Sequence, residues 1–121
     1  MENKEKRNII IEKSFSFSVR IVELYKLLRF KKNEYVLSKQ ILKSGTSIGA
    51  NIAEAQEAQS KKDFISKLYI SIKETSETKY WLKLLTKTKF IDENYSQVLH
   101  KKLSEIHNLL TAIIKTSKEK P

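Results

Sequence analysis

The two glycines of this chain, Gly45 and Gly49, stand four residues apart within a stretch of helical apolar spacing, and its only proline is Pro121. A chain of 121 residues with so little turn punctuation does not divide into the many short strands of a sheet fold, which need turn residues at each reversal. Long helices joined by short loops are what it can build. The same length bounds the answer to one domain, 1–121, because a chain of this size buries about two thirds of its unfolded surface around a single core.

Apolar periodicity places four helices. From Asn8 to Phe30, Ile10, Phe17, Ile21, Leu24 and Leu28 recur on one stripe, with Ile11, Phe15, Val22 and Tyr25 as a flanking row, which predicts a helix over 8–30. Asn33 is the expected N-cap of a second helix over 34–57, carried by Val36, Leu37, Ile41, Ile48 and Ile52. Ser60, with Asp63 three residues on, forms a weaker capping box for a third helix over 61–87, which presents Phe64, Leu68, Ile72, Leu82 and Leu85. Asp92 or its neighbour caps a fourth over 93–117, where Leu99, Leu103, Ile106, Leu110 and Ile113 repeat in steps of four and three. The fold expected is all-α, an antiparallel up-down-up-down four-helix bundle. Two helical hairpins exchanged between chains fit the same pattern.

Two glycines inside a helix each cost about 1 kcal/mol relative to alanine. Close approach by another helix is the simplest compensation. The third helix carries Ser71, Thr75 and Thr78 at the centre of its core face, so the expected close neighbour of Gly45 and Gly49 is that helix. Beside the glycines runs a polar row of Ser44, Ser47, Asn51 and Glu54, which reads as a hydrogen-bonded seam, a solvated face or a groove for a partner. A second row, Ile70, Glu74, Glu77 and Trp81, mixes large apolar groups with carboxylates. Its single tryptophan suits either peripheral core or a subunit interface, and four helices already have enough apolar residues without it.

Composition removes several functions. With no cysteine in the chain, disulfides, thiolate catalysis and cysteine-based zinc sites are excluded. His100 and His107 belong to no Glu-x-x-His motif, so a di-iron bundle is not expected, and no catalytic set, metal site or cofactor is read from the residues. The apolar run Ile9, Ile10, Ile11 is too short for a signal peptide, and no run reaches the roughly 18 apolar residues of a membrane span. A cytoplasmic location without membrane contact is expected.

The net charge of +10 favours polyanionic partners, because clustered Lys and Arg gain affinity by releasing counterions from phosphates. A merely solvated surface would carry the same charge. In an up-down bundle the first and third loops share one end, which gathers Arg29, Lys31 and Lys32 with Lys83, Lys87 and Lys89. Phe30, Tyr35, Phe90 and Tyr95 are interleaved there, and only Glu34, Asp92 and Glu93 oppose the cations locally. This end is the expected surface for RNA or DNA, the alternative being that the aromatics plug the bundle end while the lysines are simply solvated.

The run from Leu42 to Ala55, with Ser44, Ser47-Ile48 and Asn51-Ile52-Ala53-Glu54, closely resembles the rRNA intervening-sequence proteins. The likeness continues through Ser60-Lys61-Lys62-Asp63-Phe64 to Glu77-Thr78-Lys79-Tyr80-Trp81-Leu82. Lys43 stands where many relatives carry Arg, and keeps the charge without the guanidinium's paired geometry. Ala55 stands where many carry Gly, so the second helix is expected to run on past it. The resemblance implies homopentameric rings of antiparallel bundles. It extends to the accessory variability proteins of diversity-generating retroelements, which are similar basic rings that bind nucleic acid and a reverse transcriptase. An adapter that binds another protein, with incidental basicity, is the alternative.

Overall fold

A computed structural model describes residues 3–120, and within them four helices form one antiparallel bundle: α1 (Asn3–Lys26), α2 (Leu37–Ala55), α3 (Lys61–Lys87) and α4 (Glu93–Glu119). Each helix packs on its neighbours in sequence, and α1 closes the bundle against α4, so the up-down-up-down arrangement is completed within one chain. The expected repeats are the core. Ile10, Phe17, Ile21, Leu24 and Leu28 of α1 are buried with Leu99, Leu103, Ile106, Leu110 and Ile113 of α4, and each such side chain contributes about 1.5–3 kcal/mol by leaving water. Phe15 and Val22, expected beside that stripe, instead lie on the outer face of α1, with Phe15 71% exposed. Val36 is likewise outside the core.

The caps explain where the helices begin. Ser60 Oγ accepts the Asp63 backbone N–H at 3.0 Å, and Asp63 accepts in turn from the Gln59 N–H at 3.4 Å, which is the capping-box logic displaced by one residue. Asp92 Oδ1 accepts the Tyr95 N–H at 2.7 Å and starts α4. Asn33 does not cap α2. It sits at φ 55°, in the left-handed region that Asn tolerates, where the chain leaves a wide π turn, Leu27–Lys31, that extends α1. Glu34 takes over the cap, its carboxylate accepting the N–H groups of Ser38 at 2.6 Å and Val36 at 3.3 Å.

α2 stops at Ala55 although no glycine stands there. The N–H groups of Gln56, Glu57 and Ala58 bond to the carbonyls of Ala53, Glu54 and Ala55, an i to i−3 tightening that closes the last turn. α4 continues in regular form to Glu119, past the helix end expected at Ser117.

The glycines meet α1, contrary to the expected contact with α3. A Cβ on Gly45 would stand 2.8 Å from Ile21 Cγ1, and one on Gly49 would stand 3.2 Å from the Ser14 carbonyl oxygen. Adjacent helical residues point about 100° apart, so Gly45 and Ser44 face different neighbours, and Ser44 takes the α3 side. There Thr78 Oγ1 bonds Ser44 Oγ at 2.9 Å, and Ser71 Oγ donates to the Ile48 carbonyl at 2.9 Å. Ser71, Thr75 and Thr78 are buried at the positions where the seam of α3 would otherwise be apolar.

Candidate nucleic-acid interface and subunit surfaces

The end of the bundle that holds the α1–α2 and α3–α4 connections brings four of the six expected cations together. Lys32 and Lys89 flank a groove of about 670 Å³ floored by Leu27, Phe90, Ile91 and Tyr95. A second groove of about 740 Å³ carries Lys83, Lys87 and Lys89 with Tyr80 and Leu84. The two share Thr86, Lys89 and Glu93 and so run together. Lys31 is exposed but lines neither groove, and Arg29 is half-buried, its guanidinium 4.3 Å from the Tyr35 ring centre and 5.4 Å from that of Phe30. That stacking fixes Arg29 on an aromatic plate.

None of these six cations forms an ion pair among the described residues, where the pairs found are Lys13 with Glu105 and Lys67 with Glu54. The three acids of this end are otherwise engaged. Glu34 caps α2, Asp92 caps α4, and Glu93 lies in the first turn of α4 and accepts from Gln97 Nε2 at 3.5 Å. Each therefore answers the positive end of a helix dipole, and since Asp92 and Glu93 also line the grooves, the four lysines Lys32, Lys83, Lys87 and Lys89 face two carboxylates there. Burial first, then Lys79 and Lys83, push His100 below the usual imidazole range against the pull of Glu93. It is neutral near pH 7 and adds nothing to this field.

Lys89 has φ 69°, a left-handed position just past α3 that glycine usually fills. The Phe90 N–H bonds back to the Leu85 carbonyl at 2.9 Å, closing the helix end around it. A lysine here carries backbone strain of about 1 kcal/mol. Phe90 and Tyr95 pack against the core, while Phe30 is 67% exposed.

Of the two rows read from the sequence, the α2 row reaches across to α3 at Ser44 and Glu54. Ser44 is buried, Ser47 and Asn51 are half-buried and bond to carbonyls of their own helix, and Glu54 reaches across to Lys67 at 3.3 Å. On the α3 side Ile70 and Glu77 are exposed, Glu74 is half-buried, and Trp81 packs on the core while donating its indole N–H to Glu77 at 3.2 Å. Burial and then Glu77 push the Glu74 carboxyl up, with Lys43 and Lys73 opposing. Lys43 thus acts on Glu74 through space, without an ion pair.

Two features went unseen in the sequence. Phe15, Val19 and Val22 form an exposed apolar stripe on α1, and their i, i+4, i+7 spacing opposite the core stripe was the available signal. Arg7 is held at the far end of the bundle by Phe64 and Gln56, partners too distant along the chain for any local pattern to reveal. Among the described residues no three His, Asp or Glu side chains converge as metal ligands, and no helix is long and apolar enough to cross a membrane.

Fold and surface together define a basic, antiparallel four-helix-bundle protein with an unpaired lysine groove at one end. Comparison with known proteins gives the family: residues 6–112 match the 23S rRNA-intervening sequence protein model, and the chain belongs to that family. It is also similar to a solved protein of unknown function from the S23 ribosomal protein family of Bacteroides thetaiotaomicron. The two are 53% identical with a TM-score of 0.90, over 91% of this chain and 98% of that one. No curated protein matches the chain.

Proposed function

We propose that this protein is a non-catalytic, self-associating bundle that binds nucleic acid through backbone charge and shape. The observation that carries the reading is the convergence of Lys32, Lys83, Lys87 and Lys89 on continuous grooves that hold only Asp92 and Glu93 as carboxylates. The presence of Lys89 in a strained backbone position where glycine would relax the turn supports a role for its side chain beyond folding. Self-association is supported by exposed apolar groups on diagonal helices, Phe15, Val19 and Val22 on α1 and Ile70 and Tyr80 on α3. Patches facing opposite ways join head to tail, which closes a ring or continues as a fibre. The family resemblance favours a pentameric ring, and names a reverse transcriptase as the candidate protein partner.

The test is a titration of structured RNA and duplex DNA at several salt concentrations. Binding should weaken steeply with salt, and reversal of Lys32, Lys83, Lys87 and Lys89 to Glu should flatten the slope by about one unit for each phosphate no longer neutralised. Unchanged affinity at low salt sinks the location. Absence of a salt slope in the native protein favours the adapter reading, in which the α2–α3 seam meets a protein. Lys89→Gly separates folding from binding: stability should rise by about 1 kcal/mol while affinity falls.

A further inference from the structure

The opposite end of the bundle carries a second, differently built cationic site. There the start of α1, the α2–α3 connection and the end of α4 surround an open cavity of about 360 Å³ lined by Asn3, Arg7, Gln56, Lys61 and Lys120. An adjoining depression of about 410 Å³ shares Asn3, Arg7, Gln56 and Lys120 and adds Lys4.

Arg7 is the fixed element. Its guanidinium lies 4.5 Å from the centre of the Phe64 ring, and Nη2 donates to Gln56 Oε1 at 3.2 Å. Gln56 is itself anchored, donating Nε2 to the Ile52 carbonyl at 2.9 Å. Stack and hydrogen bond together set the plane of the fork. A guanidinium has five N–H donors, and no carboxylate pairs with this one among the described residues. Of the acids near this end, Asp63 is engaged at the α3 cap and Glu54 with Lys67, while Glu57 and Glu119 are exposed and line neither depression. Lys61 Nζ donates to the Lys120 carbonyl, which ties the Lys61 ammonium to the end of α4 at the rim.

An arginine ordered without an anionic partner has already given up much of the side-chain freedom that binding removes, so an oxyanion meets a prepared fork. Asn3 lines the same cavity with a buried Oδ1 that has no hydrogen-bond partner. An acceptor there suits the O–H of a hydrogen phosphate or phosphomonoester, alongside the anionic oxygens that Arg7 and the lysines take. We infer that this cavity binds a terminal phosphate group, with Arg7 as the bidentate ligand and Lys61 and Lys120 as supporting cations. The site is independent of the lysine grooves, with Lys61 about 33 Å along α3 from Lys83, the nearest groove cation on that helix.

The test is a titration of the full chain with inorganic phosphate, followed by amide chemical shifts. Saturable shifts at Gln56, Lys61 and Phe64 with a Kd of about 1 mM are expected. Arg7→Gln should weaken binding about tenfold, and Lys61→Gln severalfold. Lys87→Glu with Lys89→Glu should leave it unchanged even where nucleic-acid binding is abolished, so the two sites fail separately. Arg7→Lys keeps the charge but not the fork, and should fall between wild type and Arg7→Gln. A second arm compares a 5′-phosphorylated oligonucleotide with its unphosphorylated twin. Tighter, Arg7-dependent binding of the phosphorylated strand identifies a nucleic-acid end as the source, and equal binding of the two strands, with saturable inorganic phosphate, identifies a free phosphate. Absence of saturable shifts, or equal shifts in wild type, Arg7→Gln and Lys61→Gln, overturns the inference. Lys61→Gln decides the matter should Arg7→Gln fail to fold.

Discussion

Helix α2 meets its two neighbours by opposite means. Toward α1 it offers absence: Gly45 and Gly49 remove side chains so that Ile21 and the backbone at Ser14 can approach. Toward α3 it offers hydroxyls, with Ser44 bonded to Thr78 and the Ile48 carbonyl satisfied by Ser71. One contact is limited by volume and the other by polarity. A dense interior resists added atoms, whereas a buried polar pair resists removal of one partner more than removal of both. The two sides should therefore fail to different substitutions.

The largest effect is expected from Gly45→Ala. The new Cβ would fall within 3.0 Å of both Cγ atoms of Ile21, a fully buried, β-branched side chain with little rotamer freedom. Overpacking of this kind costs about 1–3 kcal/mol, and the helix recovers about 1 kcal/mol by losing a glycine. With both Cγ atoms inside contact distance the upper part of the range applies, and a net destabilisation of about 2 kcal/mol should appear in urea unfolding. The contact is the cause only if Ile21→Ala costs less in the Gly45→Ala background than in wild type.

On the other side Thr78→Val keeps the shape and removes the hydroxyl. It leaves buried Ser44 without its side-chain partner, a destabilisation of about 1–2 kcal/mol. Adding Ser44→Ala should return most of that stability, as no orphan then remains. A double variant as unstable as the sum of its parts would show that packing governs this side as well, and would erase the contrast. Gly49→Ala is gentler than Gly45→Ala. Its Cβ would stand 3.2 Å from the Ser14 oxygen and from Ser18 Oγ, a tight approach that the helix gain of about 1 kcal/mol offsets. Stability should change by no more than about 0.5 kcal/mol, and a destabilisation equal to that of Gly45→Ala would mean that α1 cannot shift at all.

Much of the bundle was legible because its signals are local. Ser60 and Asp92 announce α3 and α4 through hydrogen bonds three residues away, and the repeats of α1 and α4 mark their own buried faces. What escaped depends on partners distant in sequence. The glycines declare that something must come close, but the choice between α1 and α3 is settled by where Ser44 finds Thr78, 34 residues on. Phe15 and Val22 are the exception, since their spacing with Val19 opposite the core stripe marked a separate outer row. Asn33 satisfies the composition of a cap, yet the π turn before it spends the residue on a left-handed bend. At the lysine end topology alone grouped the six cations, while the aromatic plate that draws Arg29 aside needed three dimensions.

The smallest effect tests whether the polar side of α2 also responds to pH while the glycine side does not. Glu74 stands beside this seam, its carboxyl raised above the ordinary value of 4.5 by burial and then by Glu77, with Lys43 and Lys73 pulling the other way. A carboxyl whose folded pKa exceeds its unfolded pKa holds its proton longer in the native state, so stability falls as pH rises through the interval between the two. Above that interval the penalty is complete, and below the unfolded pKa it is absent. Glu74→Gln should therefore be slightly more stable than wild type at pH 7, with the advantage fading as the carboxyl takes up its proton above the ordinary value of 4.5 and absent at pH 4. Gly45→Ala should shift the urea midpoint similarly relative to wild type at both values, because the clash it creates is with Ile21, which carries no charge. A Glu74→Gln advantage that persists unchanged in acid would assign the gain to helix propensity, and the seam would then differ from the glycine contact in hydrogen bonding alone.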